Sequence, residues 1–446
     1  MTGGDEASLG FAAVATTANM GETPADGRLR LAVALSAVLA GILLLLTGCA
    51  HINAGITRLP AVELGEPSFY PTLQAYAGTP IINGNEVQVL LNGEQIFPAL
   101  TAAIRSARKS ITYAQYFFEE GPVSEDVISA LAERCRAGVP AQVLLDGVGT
   151  VGMPAHYTDE LKDAGCQVKT FRPVRLWALR RANNRNHRRI LVVDGRVGFA
   201  GGSGVSQKWM GDGRTADHWR DTDVRVEGPA VEWMQAAFVE NWMESAGEAL
   251  GGDAYFPRPQ PSRGQVAVQV VRSSPEGGSF AMYNTLLIAL NAARQSIRIT
   301  NPYFLLDEPM MDAVLNRLRQ GVRVEVLVPG TIDHKFVRQA SRATWGPLLK
   351  AGVKIYEYQP ALLHAKTMVI DGRWATIGSA NLDPRSFALS QELNIVVYDR
   401  AIARRLEEVF QADLAYAKPV HHEQWQHRGM QARLFELFMF PLRDML

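Results

Sequence analysis

The stretch His364-Ala365-Lys366-Thr367-Met368-Val369-Ile370-Asp371-Gly372-Arg373-Trp374-Ala375-Thr376-Ile377-Gly378-Ser379-Ala380-Asn381 decides how this chain folds. Thr367 to Ile370 is a short β-branched and apolar run, Asp371-Gly372 is a type I′ turn signal, and Arg373 to Ile377 returns as a second strand. A two-residue loop sets Ile370 opposite Arg373, Lys366 opposite Ile377 and His364 opposite Ser379. His364 and Lys366, two apart on a strand, share one face. The expected hairpin gathers an imidazole, an ammonium and a hydroxyl at its open end, with Asn381 just beyond. That set of groups suits a phosphate.

A second stretch answers the first. His187-Arg188-Arg189 leads into Ile190 to Val193, the turn Asp194-Gly195, a return strand and Gly201-Gly202-Ser203-Gly204, with His187 expected opposite Gly202. A lone histidine beside a strand is usually structural. Two of the nine histidines at equivalent places, each followed by a cation two residues on, are not a chance match.

The segments leading into the two hairpins also repeat. The first half reads as helix Phe97 to Ala107, strand Ile111 to Phe118, helix Val127 to Arg136, strand Gln142 to Asp146, a helix around Glu160 and a strand at Val168. The second reads as helix Tyr283 to Ala293, strand Ile297 to Phe304, helix Met310 to Leu318, strand Arg323 to Pro329, helix Val337 to Lys350 and strand Lys354 to Tyr358. The turn marker Arg136-Ala137-Gly138-Val139 answers Arg319-Gln320-Gly321-Val322. An α/β unit is therefore duplicated, each copy expected as a mixed sheet flanked by helices. Residues 93–250 form repeat 1, 251–264 a proline-bearing join, and 265–415 repeat 2.

Outside the repeats, residues 1–27 are rich in Gly, Ala and Thr without a period and read as disordered. Arg28 and Arg30 precede an apolar run, Leu31 to Leu46, that ends in Thr47-Gly48-Cys49. This resembles the lipobox of a bacterial lipoprotein signal, which implies that Cys49 carries the lipid and that the following domain lies outside the cytoplasm, peripheral to or anchored on the cell membrane. A signal anchor with an incidental cysteine is the alternative, but the run falls short of the roughly 20 residues a spanning helix needs. Residues 1–49 are thus leader and signal, and 50–92 linker and entry segment. Residues 416–446 form an amphipathic tail, either an interfacial helix or one docked on the core.

With 45 basic and 45 acidic residues the 446-residue chain offers no strong field for a nucleic acid backbone, and no nucleic acid partner is expected. Cys49, Cys135 and Cys166 are too few for a disulfide framework, and Cys135 and Cys166 read as core thiols. His421, His422 and His427 have no carboxylate or cysteine geometry around them, so no metal and no cofactor are expected.

The pattern His-x-Lys, four residues, Asp, six residues, Gly-Ser-x-Asn resembles the phospholipase D superfamily, and His364, Lys366, Asp371, Gly378, Ser379 and Asn381 match it fully. Thr300 to Phe304, Ala351 to Tyr358, Asn381 to Ser386 and Trp219-Arg220-Asp221-Thr222 look like bacterial cardiolipin synthases in particular. In the first half Arg189 stands where the family has lysine and Gly204 where it has asparagine, and Ala114-Gln115 stand where relatives often carry a glutamate. The resemblance implies two facing repeats with the active site between them, so that one monomer holds a complete site. It also implies a phosphohistidine intermediate and catalytic His187, Arg189, Asp194, His364, Lys366 and Asp371. Asp221 and Glu392, each just beyond its own motif, become the orienting carboxylates of the rings, with Ser379 and Asn381 in support. For Asp194 and Asp371 the Asp-Gly turn already explains much of the residue choice. Tyr303, Asp333, His334 and Lys335 are headgroup candidates by the same resemblance.

These parts match what phosphodiester transfer requires: a nucleophile, a proton donor for the leaving alkoxide, and positive charge around the phosphoryl oxygens. Histidine's ordinary pKa near 6.5 lets one ring attack while the other carries a proton. The function expected is a cardiolipin synthase-type phosphatidyltransferase acting on phosphatidylglycerol and releasing glycerol, with a second phospholipid as acceptor. A phospholipase D hydrolase is the nearest alternative, differing in whether water attacks. A nuclease and a lipid-binding protein with decayed catalysis are the others.

Overall fold

The computed structural model describes residues 59–174, 183–331 and 335–429. Cys49 and the apolar run before it, Asp333 and His334, and the tail from residue 430 lie outside the described residues, and Lys335 is described in its backbone only.

The first half runs α1 (Phe69–Ala77), β1 (Ile82–Leu91), α2 (Asn92–Ser106), β2 (Ile111–Gln115), α3 (Pro122–Arg136), β3 (Ala141–Asp146), α4 (Ala155–Asp163), β4 (Gln167–Phe171), β5 (Ile190–Val193), β6 (Val197–Gly201), β7 (Thr222–Glu227) and α5 (Val231–Ala246). The second runs β8 (Val266–Ser273), α6 (Ala281–Ala292), β9 (Ser296–Thr300), α7 (Glu308–Arg319), β10 (Arg323–Pro329), α8 (Lys335–Ala351), β11 (Lys354–Tyr358), β12 (Thr367–Ile370), β13 (Trp374–Gly378), α9 (Pro384–Ala388), β14 (Glu392–Val397) and α10 (Arg400–Leu414), closing with β15 (Ala417–Val420) and α11 (His422–Gln426). Among the described residues the strands form one mixed sheet of order β15-β11-β10-β9-β12-β13-β14-β8-β1-β7-β6-β5-β2-β3-β4. Apart from β15, that order is a palindrome about the β8/β1 pair. The expected duplicated α/β class with mixed sheets is thus the observed one.

Strand β1 holds the halves together, pairing antiparallel with β7 on one side and β8 on the other. It lies in the segment expected as linker and entry, and the Asn83-Gly84-Asn85 near its start is unusual for a strand. Faces also meet: Ile190, Val192 and Val224 of the first half share a buried cluster with Val268, Ile377 and Ile395 of the second. Contact between two β faces of this kind makes the halves one folding unit rather than beads on a linker. The join behaves accordingly, running back over the first half, where Ser110 Oγ donates to Ala254 O at 2.6 Å and Gln260 Nε2 to Gly195 O at 2.7 Å.

Both hairpins slip by one residue from the expected register. Thr367 pairs with Ile377 and Ile370 with Trp374, while Ile190 pairs with Ala200 and Val193 with Val197. The turn residues do adopt the left-handed conformation, with φ of 53° at both Asp194 and Asp371, and 62° and 59° at the following glycines. Arg196 and Arg373, however, remain in the loop. The aspartates anchor that loop. The Asp371 carboxylate accepts from the backbone N–H groups of Arg294, Gln295 and Ser296 at 2.7–2.9 Å. Asp194 takes those of Arg108, Lys109 and Ser110 at 2.7–3.1 Å. Each therefore pins its hairpin to the start of the neighbouring strand β9 or β2. With the slip, His364 no longer faces Ser379.

Two further expectations are corrected. Cys135 and Cys166 are not free thiols: the last turn of α3 and the entry to β4 bring their Cα atoms to 5.5 Å, and they form a disulfide. Residues Ala417–Val420, assigned to the tail, pair antiparallel with β11. Beyond them Trp425 docks on α8, its Nε1 donating to Arg342 O at 3.1 Å and its ring occupying the space that Gly346 leaves open. As far as residue 429, then, the tail is docked on repeat 2.

Candidate active site

Each motif histidine is tied by its backbone to the opposite half. His364 N donates to Arg220 O at 2.7 Å beside a parallel bridge between Arg220 and Leu363, and His187 N donates to Gln391 O at 3.0 Å beside a bridge between Asn186 and Gln391. The residue after Arg220 is Asp221, and the residue after Gln391 is Glu392. These two bridges therefore deliver each carboxylate to the other repeat's ring. His364 Nδ1 lies 2.8 Å from Asp221 Oδ2, and His187 Nδ1 lies 3.0 and 3.1 Å from the Glu392 oxygens. The pairing is crossed, where proximity in sequence suggested that each carboxylate would sit with its own motif.

A carboxylate can only accept, so each Nδ1 carries the proton and each Nε2 is left with its lone pair. A cation stands beside each ring. Arg189 Nη2 is 3.3 Å from His187 Nε2, and Lys366 Nζ is within 2.9 Å of both His364 ring nitrogens. Both cations also donate to the backbone carbonyl of their own histidine, at 3.2 Å from Arg189 and 2.6 Å from Lys366. Burial drives both histidine pKa values down to about 4, reinforced by the neighbouring cations and opposed by Glu392 and Asp221. Burial pushes Asp221 upward as well, but His364 and Lys366 outweigh it and hold this carboxyl well below its usual range.

The carboxylates are themselves held differently. Ser379 Oγ donates to Glu392 Oε2 at 2.5 Å and accepts from Leu393 N at 3.0 Å. Asp221 instead takes the indole N–H of Trp209 at 2.8 Å. At Gly202, the position equivalent to Ser379, a Cβ would lie 2.5 Å from Asp221 Oδ1, so glycine makes room for the carboxylate. Gly204 is likewise crowded: a Cβ there would meet Phe117 Cβ and Trp209 Cη2 at 2.9 Å. Aromatic rings occupy the space the family's asparagine would need.

Both rings open into one cavity of about 580 Å³, which Arg189, Tyr303 and Asn381 also line. Asn381 Oδ1 is buried there without a hydrogen-bond partner. Tyr116 meets His187 edge-on at 4.7 Å, and Trp209 and Trp219 lie 5.3 and 5.5 Å from His364. These aromatics stand outside the histidine motifs, and only Trp219 carries a signal in the sequence, since it opens the Trp-Arg-Asp-Thr run. Asp383 and Arg385, which lie in the Asn381 to Ser386 run and line the cavity, and Arg188 are further residues at the site to which the motif assigns no role. Asp383 caps α9 by accepting from Ser386 N at 2.7 Å, and burial lifts its pKa to about 7. Arg188 is fully buried and donates to Ala237 O at 2.8 Å, to Ser273 O at 2.9 Å and to Glu392 O at 3.3 Å, binding the halves behind the site.

Of two oriented imidazoles flanked by cations in a shared cavity, one can attack a phosphodiester through its Nε2 and the other, once it has taken up a proton, can give it to the leaving group. Comparison with known proteins gives the same direction. The family described as "Cardiolipin synthase, PLD-like domain" matches at residues 100–242 and 286–414. The chain is 32% identical to cardiolipin synthase 1 of Bacillus cereus over 398 residues, covering 87% of this chain and 78% of that protein. It is 35% identical to cardiolipin synthase A of Pseudomonas fluorescens over 371 residues, covering 82% and 76%. A phosphatidylserine synthase of Haemophilus influenzae shares the fold with a TM-score of 0.67 at 12% identity, covering 85% of this chain and all of that one. The chain belongs to the cardiolipin synthase family with phospholipase D-like domains.

Proposed function

We propose that this chain moves a phosphatidyl group from one phosphatidylglycerol to a hydroxyl of a second phospholipid through a phosphohistidine, releasing glycerol. The observation that carries the reading is the pair of histidines, each held by the other repeat's carboxylate, opening into one cavity. The Nε2 of one ring attacks phosphorus and the phosphorus–oxygen bond to glycerol breaks. The other ring gives its proton to the departing oxygen. The acceptor hydroxyl then returns a proton to that ring as it attacks phosphorus, and the phosphorus–nitrogen bond breaks. Arg189 and Lys366 balance the charge on the phosphoryl oxygens. Both rings are neutral without substrate, so binding of the anionic phosphodiester is coupled to uptake of the one proton that the acid needs. All of these groups come from one chain, which makes a monomer sufficient.

The reading includes attachment to a membrane through the segment ending at Cys49, with the domain outside the cytoplasm. Supporting that side is the Cys135–Cys166 disulfide, a bond that persists in oxidising compartments. None of the described helices is long and apolar enough to cross a membrane.

The test is product analysis with the purified full chain on phosphatidylglycerol vesicles. Cardiolipin and glycerol in equal amounts are expected. Phosphatidic acid without cardiolipin would replace the transferase by a hydrolase, in which water takes the acceptor's place.

A further inference from the structure

The cavity has two unlike walls. Repeat 2 lines it mainly with polar groups, Asn381, Asp383, Arg385 and Ser390, whereas repeat 1 adds to His187, Arg185 and Arg189 an apolar and aromatic stretch of Tyr116, Phe117, Trp209 and Val148. On the repeat 1 side the apolar lining runs out onto the surface. Val148 is 39% exposed, Val151 78% and Val174 53%, and Val151 is the most exposed large apolar side chain among the described residues. Val148 and Val151 lie on the loop that leaves β3, and Val174 follows closely after the neighbouring parallel strand β4. Gly147 N donates to Phe171 O at 2.9 Å, and a Cβ on Gly147 would sit 2.8 Å from Pro173 Cα.

The β3 loop is preformed. Val148 N and Gly149 N donate to Asp146 Oδ1 at 2.8 and 3.1 Å, Thr150 Oγ1 donates to Asp146 O at 2.7 Å, and Val151 N donates to Val148 O at 3.2 Å. Its base is also joined to the catalytic wall: a Cβ on Gly149 would lie 2.0 Å from the carbonyl oxygen of Tyr116, whose ring packs on His187. A rigid loop that holds a valine out in water forgoes the burial that ordinarily stabilises such a side chain. An apolar occupant at this rim would restore that term.

We propose that the loop after β3, together with residues 172–174 beside it, seats the mouth of the cavity on a lipid bilayer, with Val151 and Val174 immersed in it. The proposal rests on the phosphatidyl-transfer reading, because continuity with the cavity identifies the occupant as lipid. A phospholipid whose phosphate lies between the two rings has its acyl chains leaving over Val148 toward the bilayer. Its headgroup then faces the polar wall of Asn381 and Arg385. The polar wall meets glycerol and the apolar wall meets hydrocarbon.

The test compares two substrates in the full-length protein: phosphatidylglycerol in vesicles and monomeric dihexanoyl-phosphatidylglycerol in solution. Total vesicle binding is not the readout, since the apolar run Leu31 to Leu46 can hold the protein on lipid by itself. Val151→Asp is expected to lower kcat/KM on vesicles about tenfold and to leave the soluble substrate within about twofold. Val174→Asp should act in the same direction. Equal losses on both substrates, or no loss on vesicles, would overturn the proposal. A nitroxide on Val151→Cys in vesicle-reconstituted protein, after subtraction of the labelled parent, reports immersion without any turnover. Oxygen accessibility typical of lipid supports the rim, and accessibility to an aqueous relaxant overturns it. If the unmodified protein turns over neither substrate, the transfer reading fails while the nitroxide still decides the rim.

Discussion

The two halves of the site solve one problem with different parts. At His187 the orienting group is a glutamate held by the Ser379 hydroxyl, the cation is an arginine, and the packing ring is Tyr116. At His364 it is a shorter aspartate held by the Trp209 indole, the cation is a lysine, and the packing rings are Trp209 and Trp219. The glycines that make the first motif look eroded are the space these parts occupy. Gly202 admits Asp221, and Gly204 admits Phe117 and Trp209. An incomplete motif is therefore not by itself a decayed site; its missing atoms have been replaced from elsewhere in the fold.

The comparison breaks most readily at the histidines. His187→Ala and His364→Ala should each lower transfer by about 10³-fold or more, and the double variant should be little worse than either, because the rings act as one unit. A large loss at one ring alone would make the other half a scaffold. A smaller effect is expected from Gly204→Asn, which restores the family's residue. Crowding against Phe117 and Trp209 should cost about 1–3 kcal/mol, read as a lower melting temperature. Unchanged stability would mean that the aromatic packing yields easily. Smallest is Arg189→Lys. Lys366 reaches both the ring and the backbone carbonyl of His364, so a lysine at 189 can make the same contacts with His187, and activity should stay within about tenfold. A steeper fall would show that this half has been rebuilt around the guanidinium, which also lies over Tyr116 at 5.4 Å.

The duplication was legible in the sequence because helix and strand periods, turn markers and the two histidine motifs recur in the same order. Strands β10 and β11 fall on the residues read for them. The hairpin register was not legible. A two-residue loop is what Asp-Gly usually closes, but here the aspartate carboxylate caps backbone groups of an adjacent strand and the ladder starts one residue later. The crossed carboxylates were out of reach for a related reason: they depend on bridges between residues far apart in the chain, such as Asn186 with Gln391, which leave no local pattern. The Cys135–Cys166 bond likewise joins a helix end to a strand start, and two cysteines without a framework carry no pairing signal.

Crossing is the central claim, and histidine NMR titration tests it most directly. In the substrate-free protein both rings should titrate near 4, below the ordinary value, because burial disfavours the imidazolium. Asp221 favours the charged form of His364, so Asp221→Asn should move the His364 midpoint lower still and leave that of His187 in place. Glu392→Gln should do the reverse. If Asp221→Asn shifts His187 and spares His364, each carboxylate serves its own repeat and the crossed site is wrong.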